Sequence, residues 1–73
     1  MAGIKLEKLD QWFSPDAVPG REDPRVTEMR IAARRFAEVI VNNSPPSPDQ
    51  SHAIRNVRDA LQSASQAVVF DAA

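Results

Sequence analysis

Two stretches of the chain repeat apolar residues at helical spacing. In the first, Val26, Met29, Ala33, Phe36 and Ile40 follow one another at intervals of 3, 4, 3 and 4. In the second, Ile54, Val57, Leu61, Ala64 and Val68 do the same. Such spacing keeps each set on one helical face, so each stretch predicts an amphipathic helix. Asp23-Pro24 starts the first: the carboxylate accepts from free N–H groups of the first turn, and proline has its φ preset for the first helical position. Asn42-Asn43-Ser44-Pro45-Pro46 breaks the pattern, because neither proline can continue a helix and each restricts the residue before it. Ser47-Pro48-Asp49-Gln50 restarts it, with Ser47 as cap and Gln50 placed to close a capping box.

Ahead of these lies a mixed segment. Ile4, Leu6, Leu9 and the pair Trp12-Phe13 sit among Lys5, Glu7, Lys8 and Asp10, which allows one or two helical turns over Lys5 to Phe13. Pro15, Pro19 and Gly20 then make residues 14 to 23 a loop. The expected fold is all-α, an antiparallel helical hairpin with a short N-terminal helix or arm. The predicted boundaries are an arm and loop at 1–22, a helix at 23–42, a turn at 43–47 and a helix at 48–70, all in one domain. A short break between two amphipathic helices folds them back on each other.

A hairpin covers one stripe per helix, and this chain has apolar residues to spare. Ala32, Val39 and Val41 on the first helix and Ala53, Ala60, Ala67 and Val69 on the second lie off the stripes. The chain has 73 residues and no cysteine. A folded domain of this size buries only about 60% of its surface, and a disulfide or thiolate metal site is excluded. Self-association into a helical homo-oligomer is the expected remedy.

The formal charge is −1, which argues against a binder of polymeric nucleic acid. No apolar run approaches the roughly 18 residues of a membrane span. Met1 to Asp10 alternates charged and apolar residues, unlike a signal peptide. A cytoplasmic location is expected.

Seven of the nine basic residues are arginine, and five of these lie between Arg30 and Arg58. Arginine suits a planar, forked grip on phosphate or carboxylate. Arg30 and Arg34 share a helical face, with Arg35 beside it, and Arg55 and Arg58 are three apart on the second helix. They read either as phosphate clamps or as partners of Glu38 and Asp59 in weak exposed bridges. Trp12-Phe13 reads either as a plug over the hairpin or as a stacking face for a nucleobase. His52 is a lone histidine, no glycine-rich phosphate loop is present, and carboxylates are scattered singly. No catalytic residues, metal ligands or cofactor are expected, and the protein reads as a non-enzyme.

Three runs together resemble a known family. They are Glu28 to Ile40, with Arg30, Arg34, Arg35 and a small-apolar end; the turn Ser44-Pro45-Pro46-Ser47-Pro48-Asp49-Gln50; and Ala53-Ile54-Arg55-Asn56-Val57-Arg58-Asp59-Ala60. A small-residue tail, Ser63 to Ala67, follows. In order and gap, over about residues 26 to 69, they resemble the helical-hairpin group of phage immune-evasion sponges. That group contains the anti-CBASS cyclic-nucleotide sponge and the related Thoeris anti-defence sponge. The resemblance implies a compact oligomer, commonly a hexamer, acting in the host cytoplasm. It would hold cyclic dinucleotide or cyclic trinucleotide messengers between subunits without cleaving them. Trp12 or Phe13 would stack bases, Arg30 and Arg34 would hold phosphates, and Arg55 and Arg58 would serve a second site. Where the family carries Tyr-His ahead of a proline, this chain has Trp12-Phe13-Ser14-Pro15. Where the family often carries a lysine on the first helix, this chain has arginines. The rival expectation is a small helical interaction module, with no small-molecule ligand, that docks through its spare apolar flank.

Overall fold

A computed structural model describes residues 6–72; Ile4 and Lys5, included in the expected arm, lie outside them. The described residues form helices α1 (Leu6–Trp12), α2 (Pro24–Asn43) and α3 (Pro48–Ala72), with a short 3-10 turn at Pro15–Ala17 between α1 and α2. No strand occurs among them. The fold is all-helical. Helices α2 and α3 pack together as a hairpin, and α1 packs on α2. The molecule is elongated, 42 × 17 × 16 Å, because α3 alone, at 25 residues, spans roughly 37 Å at 1.5 Å per residue.

The helix boundaries follow local chemistry. The Asp23 carboxylate accepts from the Arg25 backbone N–H at 2.9 Å. The Arg25 guanidinium adds a bond to Asp23 at 3.0 Å and another to Asp71 at 3.1 Å, tying the start of α2 to the end of α3. The hydrogen bonds from Arg25 hold the Asp23 carboxyl below its ordinary pKa. Its contribution to stability is therefore full above the ordinary carboxylate range and fades as pH falls through the lowered value.

At the hairpin turn the expected capping box is only half made. The Ser47 hydroxyl accepts from the Gln50 N–H at 3.2 Å. The Gln50 side chain does not return to Ser47; it donates to the Ser44 carbonyl at 2.9 Å and the Ser44 hydroxyl at 3.1 Å. The last carbonyls of α2 have no backbone partner within the helix; Asn43 Nδ2 donates to the Val39 carbonyl, the Ser44 hydroxyl to the Ile40 carbonyl, and the Gln50 amide reaches the Val41 carbonyl at 3.5 Å while tying α3 to the Ser44 cap. Gln50 is accordingly 4% exposed.

Leu9, Phe13, Val18, Val26, Ala37, Ile54 and Leu61 form the buried core. Two of its details correct the stripes read from sequence. Phe36 is 57% exposed, and its neighbour Ala37 takes the buried place. On α3 Ser65 is fully buried, while Ala64 is only half-buried. One cause explains the α3 shift. The arm lies lengthwise in one crevice of the hairpin and draws burial toward itself. Trp12 meets Arg58, the Ala17 carbonyl accepts from Gln62, and Gly20 lies against Val69. Positions 58, 62, 65 and 69 form one stripe of α3, so Ser65 falls beneath the arm.

Gly20 is needed where it sits. Its φ is +69°, and a Cβ there would lie 2.9 Å from a Val69 methyl. Valine is stiff about χ1 and cannot easily turn aside. Gly20→Ala is expected to lower stability by about 1–2 kcal/mol, read as a fall in melting temperature. Leu61→Ala removes a core side chain that is 3% exposed and is expected to cost about 2–5 kcal/mol. Ser63→Ala, on the exposed side of α3, should stay within about 0.5 kcal/mol of the parent. Equal melts for Leu61→Ala and Ser63→Ala would contradict this core.

Candidate functional site

The arm carries its apolar residues inward and brings its polar groups against α2 and α3. Leu9 and Phe13, four apart on the arm, are both buried, and they fix the roll of α1. That roll leaves Asp10 beside α2 and Trp12 beside α3. Arg34 Nε donates to Asp10 Oδ1 at 2.9 Å, and its Nη1 lies 3.5 Å from Glu38. One turn earlier on α2, Arg30 Nη1 donates to the Phe13 carbonyl at 3.3 Å. From the other wall, the Arg58 guanidinium lies over the Trp12 ring, 4.4 Å from its centre.

Four of the six residues read from sequence as ligand contacts are thus brought around the end of α1: Trp12, Arg30, Arg34 and Arg58. Phe13 is a correction. It is 1% exposed, its ring is enclosed by the hairpin, and it cannot offer a face to a base while the chain stays folded. Of the paired aromatics, Phe13 is the plug and half-buried Trp12 is the surface ring. Arg55 is exposed and makes no ion pair among the described residues, whereas Arg58 is turned to Trp12. The two arginines therefore have separate surroundings.

The patch has a net positive balance: the guanidiniums of Arg30, Arg34 and Arg58 face the carboxylates of Asp10 and Glu38. Arg58 Nε is buried without a hydrogen-bond partner, so its attachment to the protein rests on the ring beneath it. A guanidinium over an indole face is attracted by the ring quadrupole, and it holds its outer N–H edge ready for an acceptor. The guanidinium covers one face of the indole, so a base would stack on the other face or take the guanidinium's place, while the fork donors could bind a phosphate.

The opposite face of the hairpin is chemically different. Between α2 and α3, away from the arm, runs an open groove of about 730 Å³. Met29, Phe36, Val57 and Leu61 line it with several alanines, and Asn56 is its one polar lining residue. A phosphate in this groove would find no charged partner among the lining residues. The groove suits an apolar occupant.

Asp10 and Gln62 were not singled out from sequence. Asp10 is an acid on the arm, in a chain with an arginine-rich first helix; that charge complement was its one signal. Among the described residues no group of three or more metal-ligating side chains occurs, and no helix is long and apolar enough to cross a membrane.

No family model, characterised protein or solved structure matches this chain.

Trp12 is the chain's one tryptophan, so its emission reports this patch directly. Arg58→Ala uncovers the ring and is expected to red-shift the emission and increase quenching by acrylamide. Arg55→Ala should leave both unchanged. Equal spectra for the two variants would place Arg58 elsewhere than over Trp12.

Proposed function

We propose that the protein is a phage immune-evasion sponge. In this reading it binds cyclic dinucleotide or cyclic trinucleotide messengers of host anti-phage defence in the host cytoplasm and sequesters them without cleavage. The observation that carries the reading is the patch at the end of α1, where Trp12 meets Arg58 with Arg30 and Arg34 nearby. The resemblance of the helix motifs to the sponge group supports it independently. A cyclic dinucleotide presents two bases and two phosphates at fixed separation. Stacking on Trp12 and charge-assisted bonds from the arginines would together supply affinity without any reacting group.

In the same reading the protein acts as a homo-oligomer, with the hexamer as the assembly the resemblance implies. The apolar groove and exposed Phe36 support this, since copies packed on that face would cover both. Alanines at 32, 53, 60 and 64 let another helix backbone approach closely. The groove lies away from Trp12 and the arginines, so a ligand shared between copies would need a second contact, arm side to arm side, where it would meet the same aromatic and the same arginines from two sides.

The groove also favours the second reading, a small interaction module that docks on a different protein and has no small-molecule ligand. Two measurements separate them. Thermal melts with a panel of cyclic dinucleotides and trinucleotides should show a rise for at least one member. A ligand at 100 times its dissociation constant adds about 2.7 kcal/mol, several degrees in a small domain. Light scattering at micromolar concentration should give a mass well above 8.0 kDa. A monomer that no cyclic nucleotide stabilises would reject the sponge and favour the interaction module.

A further inference from the structure

We propose that Asp10 is an internal competitor for the arginine site, a stand-in for ligand phosphate that sets its affinity. The inference rests on the sponge reading and adds to it a residue that opposes binding.

A guanidinium grips a phosphate with two parallel N–H groups along one edge of its fork. Asp10 occupies Arg34 Nε at 2.9 Å, and Glu38 lies 3.5 Å from Arg34 Nη1. Each carboxylate therefore sits on a different edge, and neither edge is free to take a phosphate bidentately. The two are not equal. Glu38 lies one turn along the same helix and is a loose contact, whereas Asp10 is a direct hydrogen bond brought from the arm.

Asp10 is also able to leave. Its side chain is 73% exposed, so it can turn out into water. The arm need not move with it, because Leu9 and Phe13 hold α1 from the buried side. Nor does the patch lose its aromatic, since Trp12 is held by Arg58 on the other wall. Ligand entry then exchanges one carboxylate for one phosphate on Arg34, and the cost is the strength of an exposed ion pair. While Asp10 stays in place its charge also repels an approaching phosphate, so the same residue disfavours binding twice.

The test is calorimetric titration of the full chain with cyclic di-adenylate, cyclic di-guanylate and the mixed cyclic dinucleotide. The parent is compared with Asp10→Asn, which keeps shape and removes charge. Asp10→Asn is expected to bind its best member roughly two- to five-fold more tightly, the range an exposed ion pair supports. Asp59→Asn removes the same charge beside Arg58 from a residue that makes no ion pair among the described residues, and its gain should be smaller. Melting temperature and acrylamide quenching of Trp12 show whether the arm is still seated in each variant. Binding by the parent with no gain in Asp10→Asn, or an equal gain in Asp59→Asn, overturns the competitor role and leaves the sponge reading standing. Absence of binding by the parent and by Asp10→Asn overturns the sponge reading for cyclic dinucleotides, and the competitor role with it.

Discussion

The seating of Leu9 and Phe13 in one crevice of the α2–α3 hairpin is the contact on which the rest of the structure depends. It holds the arm along α3 from Arg58 to Val69 and along α2 from Arg34 to Val26. It sets which arginines are drawn to the end of α1 and which remain in solvent. It also leaves the hairpin asymmetric, with one crevice filled by the chain itself and the other open and apolar. The two faces thus have separate chemistry: charge and Trp12 on the arm side, uncharged and largely apolar surface, Phe36 included, on the other.

The two faces suit different partners. Guanidinium groups suit the arm side because they can stack on an indole and donate a planar fork at once, which a lysine ammonium cannot. The arm meets them with an anionic carboxylate, a carbonyl and a ring, where a nucleotide would offer a phosphate, base carbonyls and a ring. Arg30 and Arg34 are therefore already partnered, so an anion would have to replace contacts there, whereas Arg58 has no hydrogen-bond acceptor among the described residues. On the open face no such exchange exists, and only burial of apolar surface can drive association.

Much of the hairpin was legible in the sequence. Asp23-Pro24 and Ser47-Pro48 mark helix starts by chemistry that acts within four residues, and both helices begin there. The 3, 4 spacing gave two faces that do meet. What could not be read was the direction from which a third segment approaches. Periodicity places Phe36 and Ala37 about 100° apart on the helix, and only the arm and α3 together decide that the alanine is enclosed and the phenylalanine exposed. Ser65 was hidden for the same reason, because it is buried beneath the arm and not by α2 alone. Gln50 was legible as a cap but not as a bridge, since its second set of partners belongs to the other side of the turn. Of the site, the arginines and Trp12 were legible by residue type, while the Asp10–Arg34 and Trp12–Arg58 pairs join residues 24 and 46 apart and leave no local trace.

The central claim is that a nucleotide would be read at the end of α1 by Trp12 with the arginines of both hairpin walls. Nuclear magnetic resonance of the Trp12 indole N–H and the arginine Nε–H groups during titration with cyclic dinucleotides tests it most directly. The account predicts that the signals of Trp12, Arg34 and Arg58 shift together and saturate at one concentration, while those of Arg35 and Arg55 stay in place. Saturable shifts confined to Arg35 or Arg55, with Trp12 and Arg34 unmoved, would contradict it.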